Sequence, residues 1–300
     1  MADQPVEVRG LVKRYGTIRA VDDVDLTVEV GDVYGYLGPN GAGKTTTLRM
    51  LLGLIRRDGG KVSLFGRDPA HGVDALEHVA GFVESPTFYP YLSGRENLRL
   101  LGALDGGEDK RRIEDVLETV ELRERARDRV GTYSLGMRQR LGIAAALLRD
   151  PRLLILDEPA NGLDPAGIRD MRTLIASLPE RGVTVLYSSH LLAEVEEVCN
   201  RVAIVNDGRI AFEGRLDELR ASFGTAYRLE TADDAAAATV ARELGIDARS
   251  DESALSLEAE RDALDRLTIE LGRRGVAIRE LTERHQSLED LFFQLTEDTE

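Results

Sequence analysis

Val33-Tyr34-Gly35-Tyr36-Leu37-Gly38-Pro39-Asn40-Gly41-Ala42-Gly43-Lys44-Thr45-Thr46 runs from an apolar stretch, through a glycine-rich loop, into a lysine and two threonines. The part up to Leu37 reads as a strand. Residues 45–55 read as a helix with Leu48, Leu51, Leu52 and Ile55 on one face. Strand, glycine loop and helix in that order are the context in which such a loop cradles phosphate. The loop Gly38-Pro39-Asn40-Gly41-Ala42-Gly43 is expected to curl its backbone N–H groups around a β-phosphate, its glycines allowing close approach without a Cβ. Lys44 then supplies positive charge to the β- and γ-phosphates, the Thr45 hydroxyl ligates Mg²⁺, and Thr46 donates to the α-phosphate where the helix N-terminus favours anions.

Downstream, Leu153-Leu154-Ile155-Leu156-Asp157-Glu158-Pro159 is an apolar strand ending in two acids. An acid at a strand end is often only a helix cap, but adjacent acids after four aliphatics and before a proline are more specific. Asp157 is placed to hold Mg²⁺ through its water shell, and Glu158, facing the other way, to polarise an attacking water. Between loop and acids lies Tyr133-Ser134-Leu135-Gly136-Met137-Arg138-Gln139-Arg140. Ser134 and Gly136 there carry the two requirements of a segment that the resemblance below identifies, a hydroxyl cap and close phosphate approach at a helix N-terminus.

Loop, octapeptide and acidic strand, in this order, resemble the nucleotide-binding subunit of an ATP-binding cassette (ABC) transporter, over residues 6–219. The resemblance implies an α/β P-loop ATPase with a mixed core sheet, an antiparallel β subdomain and an α-helical subdomain, using ATP and Mg²⁺. The octapeptide matches the family's signature segment, with Leu135 at the first glycine and Met137 at the glutamine as departures. His190, after Ser188-Ser189 at another strand end, matches the histidine that contacts the γ-phosphate; alone it would read as structural. Tyr15, in Lys13-Arg14-Tyr15-Gly16, matches the aromatic that stacks on adenine, although a tyrosine at a strand end is otherwise more often packing. Asn161-Gly162-Leu163-Asp164 resembles the loop that runs along the partner cassette. Glu84 stands where the family keeps a glutamine; a glutamate there retains a metal-ligand oxygen and adds charge near the γ-phosphate. Phe88, Tyr89 and Tyr91 would lie where a permease docks, or would pack the loop.

By this resemblance the signature segment closes over ATP held on another subunit's loop. Catalysis therefore needs a head-to-tail pair, either two copies or one copy with a homologous ATPase subunit, working on a separate integral membrane permease. The Glu84 replacement, Leu92-Ser93-Gly94-Arg95-Glu96-Asn97-Leu98 and the variant signature resemble the bacitracin-, lantibiotic- and daunorubicin-resistance exporter branch. A cassette acting on ribosomes or DNA is disfavoured by the single cassette and the lack of a coiled-coil insertion. A purely regulatory binding subunit is disfavoured by intact Lys44, Asp157, Glu158 and His190.

Bulk properties agree. At 300 residues, 42% hydrophobic and 31% charged, the chain reads as globular with about two domains. A net charge of −15 repels phosphate backbones and argues against nucleic acid as a partner. No stretch approaches the ~18 consecutive apolar residues of a membrane span, and Met1-Ala2-Asp3-Gln4-Pro5 is no secretory signal. The expected location is the cytoplasmic face of the cell membrane, peripheral through the permease. Cys199, the single cysteine, reads as a small core residue near a helix end.

Strands are expected at residues 6–12, 24–30, 33–37, 153–156 and 183–187, and a closing hairpin at 202–212 around Asn206-Asp207-Gly208. Ser93-Gly94-Arg95-Glu96 is a capping box for a helix through Leu101; residues 113–120 and 141–148 continue the helical region, and Asp164-Pro165 opens a further helix. The character changes after residue 219. Residues 220–300 alternate strand (226–229), helix (233–244), strand (255–257), helix (261–272), strand (276–281) and a last helix from Ser287, which suggests a small ferredoxin-like accessory domain.

Overall fold

The structure, a computed structural model, describes residues 4–104, 109–222, 226–251 and 254–284. The chain divides into two compact units, one ending at Leu216 and the other starting at Asp217. In the first, β1 (Val6–Tyr15), β2 (Ile18–Val28) and β4 (Gly59–Ser63) form an antiparallel sheet in the order β2-β1-β4. A six-stranded sheet has the order β5-β6-β7-β3-β8-β9, built from β3 (Val33–Leu37), β5 (Val79–Phe82), β6 (Leu153–Asp157), β7 (Thr184–Ser189), β8 (Arg201–Asn206) and β9 (Arg209–Arg215). Its strands run parallel except for β9, which returns antiparallel to β8.

β3, β6 and β7 are buried at every residue. Strands covered on both faces carry apolar runs rather than alternation, which is why Leu153-Leu154-Ile155-Leu156 has no polar side. The helices are α1 (Lys44–Leu51), α2 (Gly94–Leu104), α3 (Lys110–Thr119), α4 (Leu135–Leu147), α5 (Pro165–Ser177) and α6 (Leu192–Val198). The core gathers Val8, Leu11 and Leu26 from the antiparallel sheet with Tyr34, Tyr36, Leu48 and Ile155. Burial pushes the Tyr36 hydroxyl up to about 12. The Cys199 thiol, at the C-cap of α6, is likewise buried and pushed up to about 12 by desolvation.

The expected capping box forms. Ser93 N–H donates to Glu96 Oε2 at 2.7 Å, and Glu96 N–H donates to Ser93 Oγ at 3.2 Å. The hairpin turn has Asp207 and Gly208 both at positive φ, the geometry a two-residue turn between twisted strands requires. Helix α1 stops short of the expected residue 55 because Leu52 caps it and Gly53 follows in the left-handed region at φ 67°.

The second unit begins within α7 (Leu216–Ser222) and carries β10 (Ala226–Thr231), α8 (Asp234–Glu243), β11 (Asp247–Asp251), β12 (Ala254–Glu258), α9 (Arg261–Arg273) and β13 (Ile278–Arg284). Its antiparallel sheet has the order β11-β12-β10-β13, the split βαβ arrangement expected for a ferredoxin-like module. Leu229, Leu255, Leu257, Val240, Leu267 and Leu271 form its own core. The expected helix from Ser287 lies outside the described residues.

Close strand packing fixes one glycine. A Cβ on Gly81 would stand 1.9 Å from the Ile155 carbonyl oxygen of the paired strand β6. Gly81→Ala is expected to lower the stability of the first unit by about 1–3 kcal/mol, read as a lower denaturation midpoint. Gly272, inside α9 with open space around it, predicts the opposite sign: Gly272→Ala should stabilise the second unit by about 0.5–1 kcal/mol.

Candidate functional site

The carboxyl ends of β3, β6 and β7 lie level, with Leu37 paired to Ser189 and Asp157 to Ser188. The loop leaving β3 turns at Gly41 (φ 90°) and Gly43 (φ 98°), and Gly43 is the N-cap of α1. A Cβ on Gly43 would fall 2.1 Å from the Ala20 carbonyl oxygen, and one on Gly38 2.4 Å from that of Val205. Backbone packing on both sides therefore requires the two glycines. The loop rims a recess of about 220 Å³ lined by Pro39, Asn40, Gly41, Gly43, Lys44, Thr45 and Thr46, with Ala20, Glu158 and Asn161. Ala42 lies buried behind it.

Lys44 is only 6% exposed, and its ammonium is fully engaged. Nζ donates to Gly38 O at 2.6 Å and Pro39 O at 3.2 Å, and lies 3.2 Å from Glu158 Oε1. The other Glu158 oxygen, Oε2, is 2.6 Å from His190 Nδ1. Glu158 thus spans the lysine and the histidine, from a backbone held in the left-handed region at φ 48°. Thr45 Oγ1 donates to Asp157 Oδ2 at 2.9 Å, and Ser188 Oγ donates to Asp157 Oδ1 at 2.6 Å. A hydroxyl and a carboxylate are hard oxygen donors suited to Mg²⁺. Among the described residues no group of three or more His, Cys, Asp or Glu residues is arranged to hold a metal ion by itself.

Other expected residues lie elsewhere. Tyr15 ends β1, 49% exposed as a residue, with the Lys13 ammonium 5.4 Å from its ring centroid. The β1–β2 hairpin that carries it also brings Ala20 to the recess. Glu84 meets a cation. Its carboxylate pairs with Arg49, one turn along α1 from Thr45, and its backbone is left-handed at φ 71°. The pairing is electrostatic, since the Arg49 guanidinium is within reach of the Glu84 carboxylate.

Ser134 is the N-cap of α4, its Oγ accepting from Met137 N–H at 3.2 Å. Gly136 leaves space, since an added Cβ would meet no atom closer than Leu163 Cδ2 at 3.6 Å. Asp164 caps α5, accepting from Gly167 N–H at 2.9 Å. These three share a groove of about 570 Å³ that contains no residue of the phosphate loop. Phe88 and Tyr89 line an apolar groove of about 410 Å³ with Leu100, Leu101 and Leu104, and Tyr91 stands exposed beside Tyr89 at 5.7 Å between ring centroids. Sequence reasoning missed Ser188. Only the pairing of β6 with β7 reveals that its hydroxyl meets both acids.

A triphosphate is the ligand that a glycine loop at the carboxyl edge of a parallel sheet is shaped to take, so fold and edge define a P-loop nucleotide-hydrolysing protein. Residues 21–161 match the family model for ABC transporters. The bacitracin transport ATP-binding protein BcrA of Bacillus licheniformis is 40% identical over 302 residues, covering 97% of this chain and 96% of the relative. The daunorubicin/doxorubicin resistance ATP-binding protein DrrA of Streptomyces peucetius is 38% identical over 304 residues, covering 97% and 92%. Among solved structures, an ATP-binding subunit of an ABC transporter superposes with a TM-score of 0.65 at 32% identity, covering 73% of this chain and 92% of that one. The chain belongs to the ATP-binding proteins of ABC transporters. It is an ATP-binding and ATP-hydrolysing subunit, of a kind that works with a membrane permease.

Lys44→Ala removes the one ammonium in the recess. ATP affinity should fall about tenfold or more, consistent with loss of a charge-assisted contact to phosphate. Equilibrium titration with a fluorescent ATP analogue measures this, and an affinity within about twofold of the parent would remove Lys44 from phosphate binding.

Proposed function

We propose that this chain energises an exporter of a drug, antibiotic or antimicrobial peptide, acting as one of two cassettes on a separate integral membrane permease. The observation carrying this reading is the end-to-end similarity, over 97% of the chain, to ATP-binding proteins named for bacitracin transport and for daunorubicin/doxorubicin resistance. The division of the expected site into two grooves supports a paired mechanism. The second cassette is another copy of this chain or a homologous ATPase. Among the described residues no helix is long and apolar enough to cross a membrane. The permease then holds the pair at the cytoplasmic face, and the apolar groove beside Phe88, Tyr89 and Tyr91 suits a permease helix. Residues 1–219 serve as the cassette and 220–300 as an accessory domain.

In this reading Tyr15 stacks on adenine, and backbone N–H groups of the loop from Gly38 to Thr46 hold the phosphates. Lys44 exchanges the Gly38 and Pro39 carbonyls and the Glu158 carboxylate for β- and γ-phosphate oxygens. Released from Lys44, Glu158 orients a water in line with the γ-phosphate and accepts its proton. His190 keeps that carboxylate directed through Nδ1 and presents its other ring nitrogen to the γ-phosphate. Thr45 and Asp157 would hold Mg²⁺, which supplies charge neutralisation across the phosphates. The N-terminus of α4, with Ser134 and Gly136, closes over the γ-phosphate held by the partner cassette, and Asp164 lies along that partner. Glu84, once parted from Arg49, would report occupancy to the permease.

Glu158→Gln is expected to keep ATP binding, lower turnover about 10²–10⁴-fold as loss of a general base does, and trap a dimer with ATP. Turnover within about twofold of the parent would remove the assignment of Glu158 as base. Tyr15→Ala should weaken ATP binding by about 1–3 kcal/mol, the worth of one base–aromatic stack, while Tyr15→Phe should not. The transporter reading itself is tested by purifying tagged Glu158→Gln chain with ATP from detergent-solubilised membranes. A polytopic membrane protein at comparable stoichiometry supports it; ribosomal proteins, or an ATP-trapped dimer with no membrane partner, overturn it.

A further inference from the structure

We propose that Ser188 is a positioning residue for ATP hydrolysis, setting the carboxylate of Asp157 and the backbone of Glu158 through one hydroxyl. The inference rests on the proposed roles of those two acids.

Ser188 lies in β7 directly across from Asp157 in β6 and is inaccessible to solvent. It cannot touch nucleotide and must act through its neighbours. Its Oγ donates to Asp157 Oδ1 at 2.6 Å and accepts the Glu158 N–H at 3.0 Å. A serine hydroxyl has a single proton to donate. With that proton on the carboxylate, the lone pairs can serve only a donor, and the Glu158 N–H is the donor present. Both bonds are therefore directed, and they hold the two acids in a fixed relation.

Two consequences follow for the acids. Occupation of Oδ1 by Ser188 turns Oδ2 toward Thr45 Oγ1, so the carboxylate presents one defined oxygen beside the threonine proposed as its fellow ligand. Metal ligands held by such outer contacts bind better than free ones, and losing the contact commonly costs about 10–100-fold in metal affinity or activity. The Glu158 N–H, meanwhile, belongs to a residue held left-handed at φ 48° as the chain leaves the sheet. Ser188 gives that N–H its partner and so steadies the backbone that aims the Glu158 carboxylate between Lys44 and His190. An aliphatic side chain at this site would leave Oδ1 and the N–H without this partner.

The test uses the full chain with Ser188→Ala, Ser188→Cys and Ser188→Thr. Cysteine keeps roughly the serine volume but is a weak donor and acceptor, and threonine keeps the hydroxyl. Three quantities are read: the Mg²⁺ concentration at half-maximal enhancement of ATP binding, kcat and KM for ATP hydrolysis, and the melting temperature. For the alanine and cysteine variants the Mg²⁺ midpoint should rise and kcat should fall, each about tenfold or more. ATP affinity in excess chelator should stay within about twofold of the parent, because the loop is untouched. Threonine should restore both the midpoint and kcat. The proposal is overturned if Ser188→Cys keeps the parental Mg²⁺ midpoint and kcat, or if the midpoint rises and kcat falls only as the melting temperature drops and threonine restores stability but neither the midpoint nor kcat. Glu158→Gln run in parallel separates the two layers. An inert Glu158→Gln with a parental Ser188→Cys removes only the role of Ser188, whereas an active Glu158→Gln removes the reading of the acids and this inference with it.

Discussion

Parallel pairing of β3 with β7 and of β7 with β6 brings Leu37, Ser189 and Asp157 to one edge of the sheet, and the phosphate loop, both acids and His190 leave the sheet at that edge. In a strand, neighbouring residues point to opposite faces, so a one-residue slip of β6 against β7 would carry Asp157 away from Thr45 and Ser188. The slip is opposed because these strands are buried along their whole length, and any shift would have to repack both faces. Burial of Leu153, Leu154, Ile155 and Leu156 is thus also what sets the positions of the acids that follow.

Lys44 shows how that edge tolerates charge. A lysine this deeply buried needs compensation, and two carbonyls and a carboxylate provide it. Phosphate oxygens offer the same lysine the same kind of partner, so ligand binding exchanges contacts rather than creating them. The exchange would also free Glu158 from its cation, leaving His190 as the remaining tie on the carboxylate. Binding and activation of the base are then one rearrangement in the proposed mechanism.

Features carried by short-range spacing were legible in the sequence. The glycine loop, the paired acids, the Ser93–Glu96 capping box, the Asp207-Gly208 turn and the Ser134 cap all act within a few residues of themselves. Features made by distant pairing were not. β4 opens with Gly59-Gly60-Lys61 and has no alternation to betray it; only its ladder with β1 makes it a strand. β11, Asp-Ala-Arg-Ser-Asp, is polar because it is an edge strand paired on one side only. Glu84 pairs with Arg49 across 35 positions, and Ser188 meets Asp157 across 31. Neither meeting has a local signal, because each depends on the order of strands and helices in space.

The separation of the two grooves has a mechanistic consequence. In the proposed mechanism a triphosphate in the phosphate recess is held from one side, by the loop and Lys44, and that recess contains neither Ser134, Gly136 nor Asp164. Ser134 Oγ accepts from Met137 N–H, a bond that does not use its hydroxyl proton, and Gly136 leaves the helix N-terminus open to approach. An anion site of this kind with no loop of its own is complementary to a loop-bound phosphate on a second cassette. Association then does two things at once in the proposed dimer: it completes the donor set around the γ-phosphate and excludes water from it. Hydrolysis removes the shared phosphate and with it the reason for the two surfaces to stay together, so the chemistry of one bond becomes a change of separation that a permease can follow.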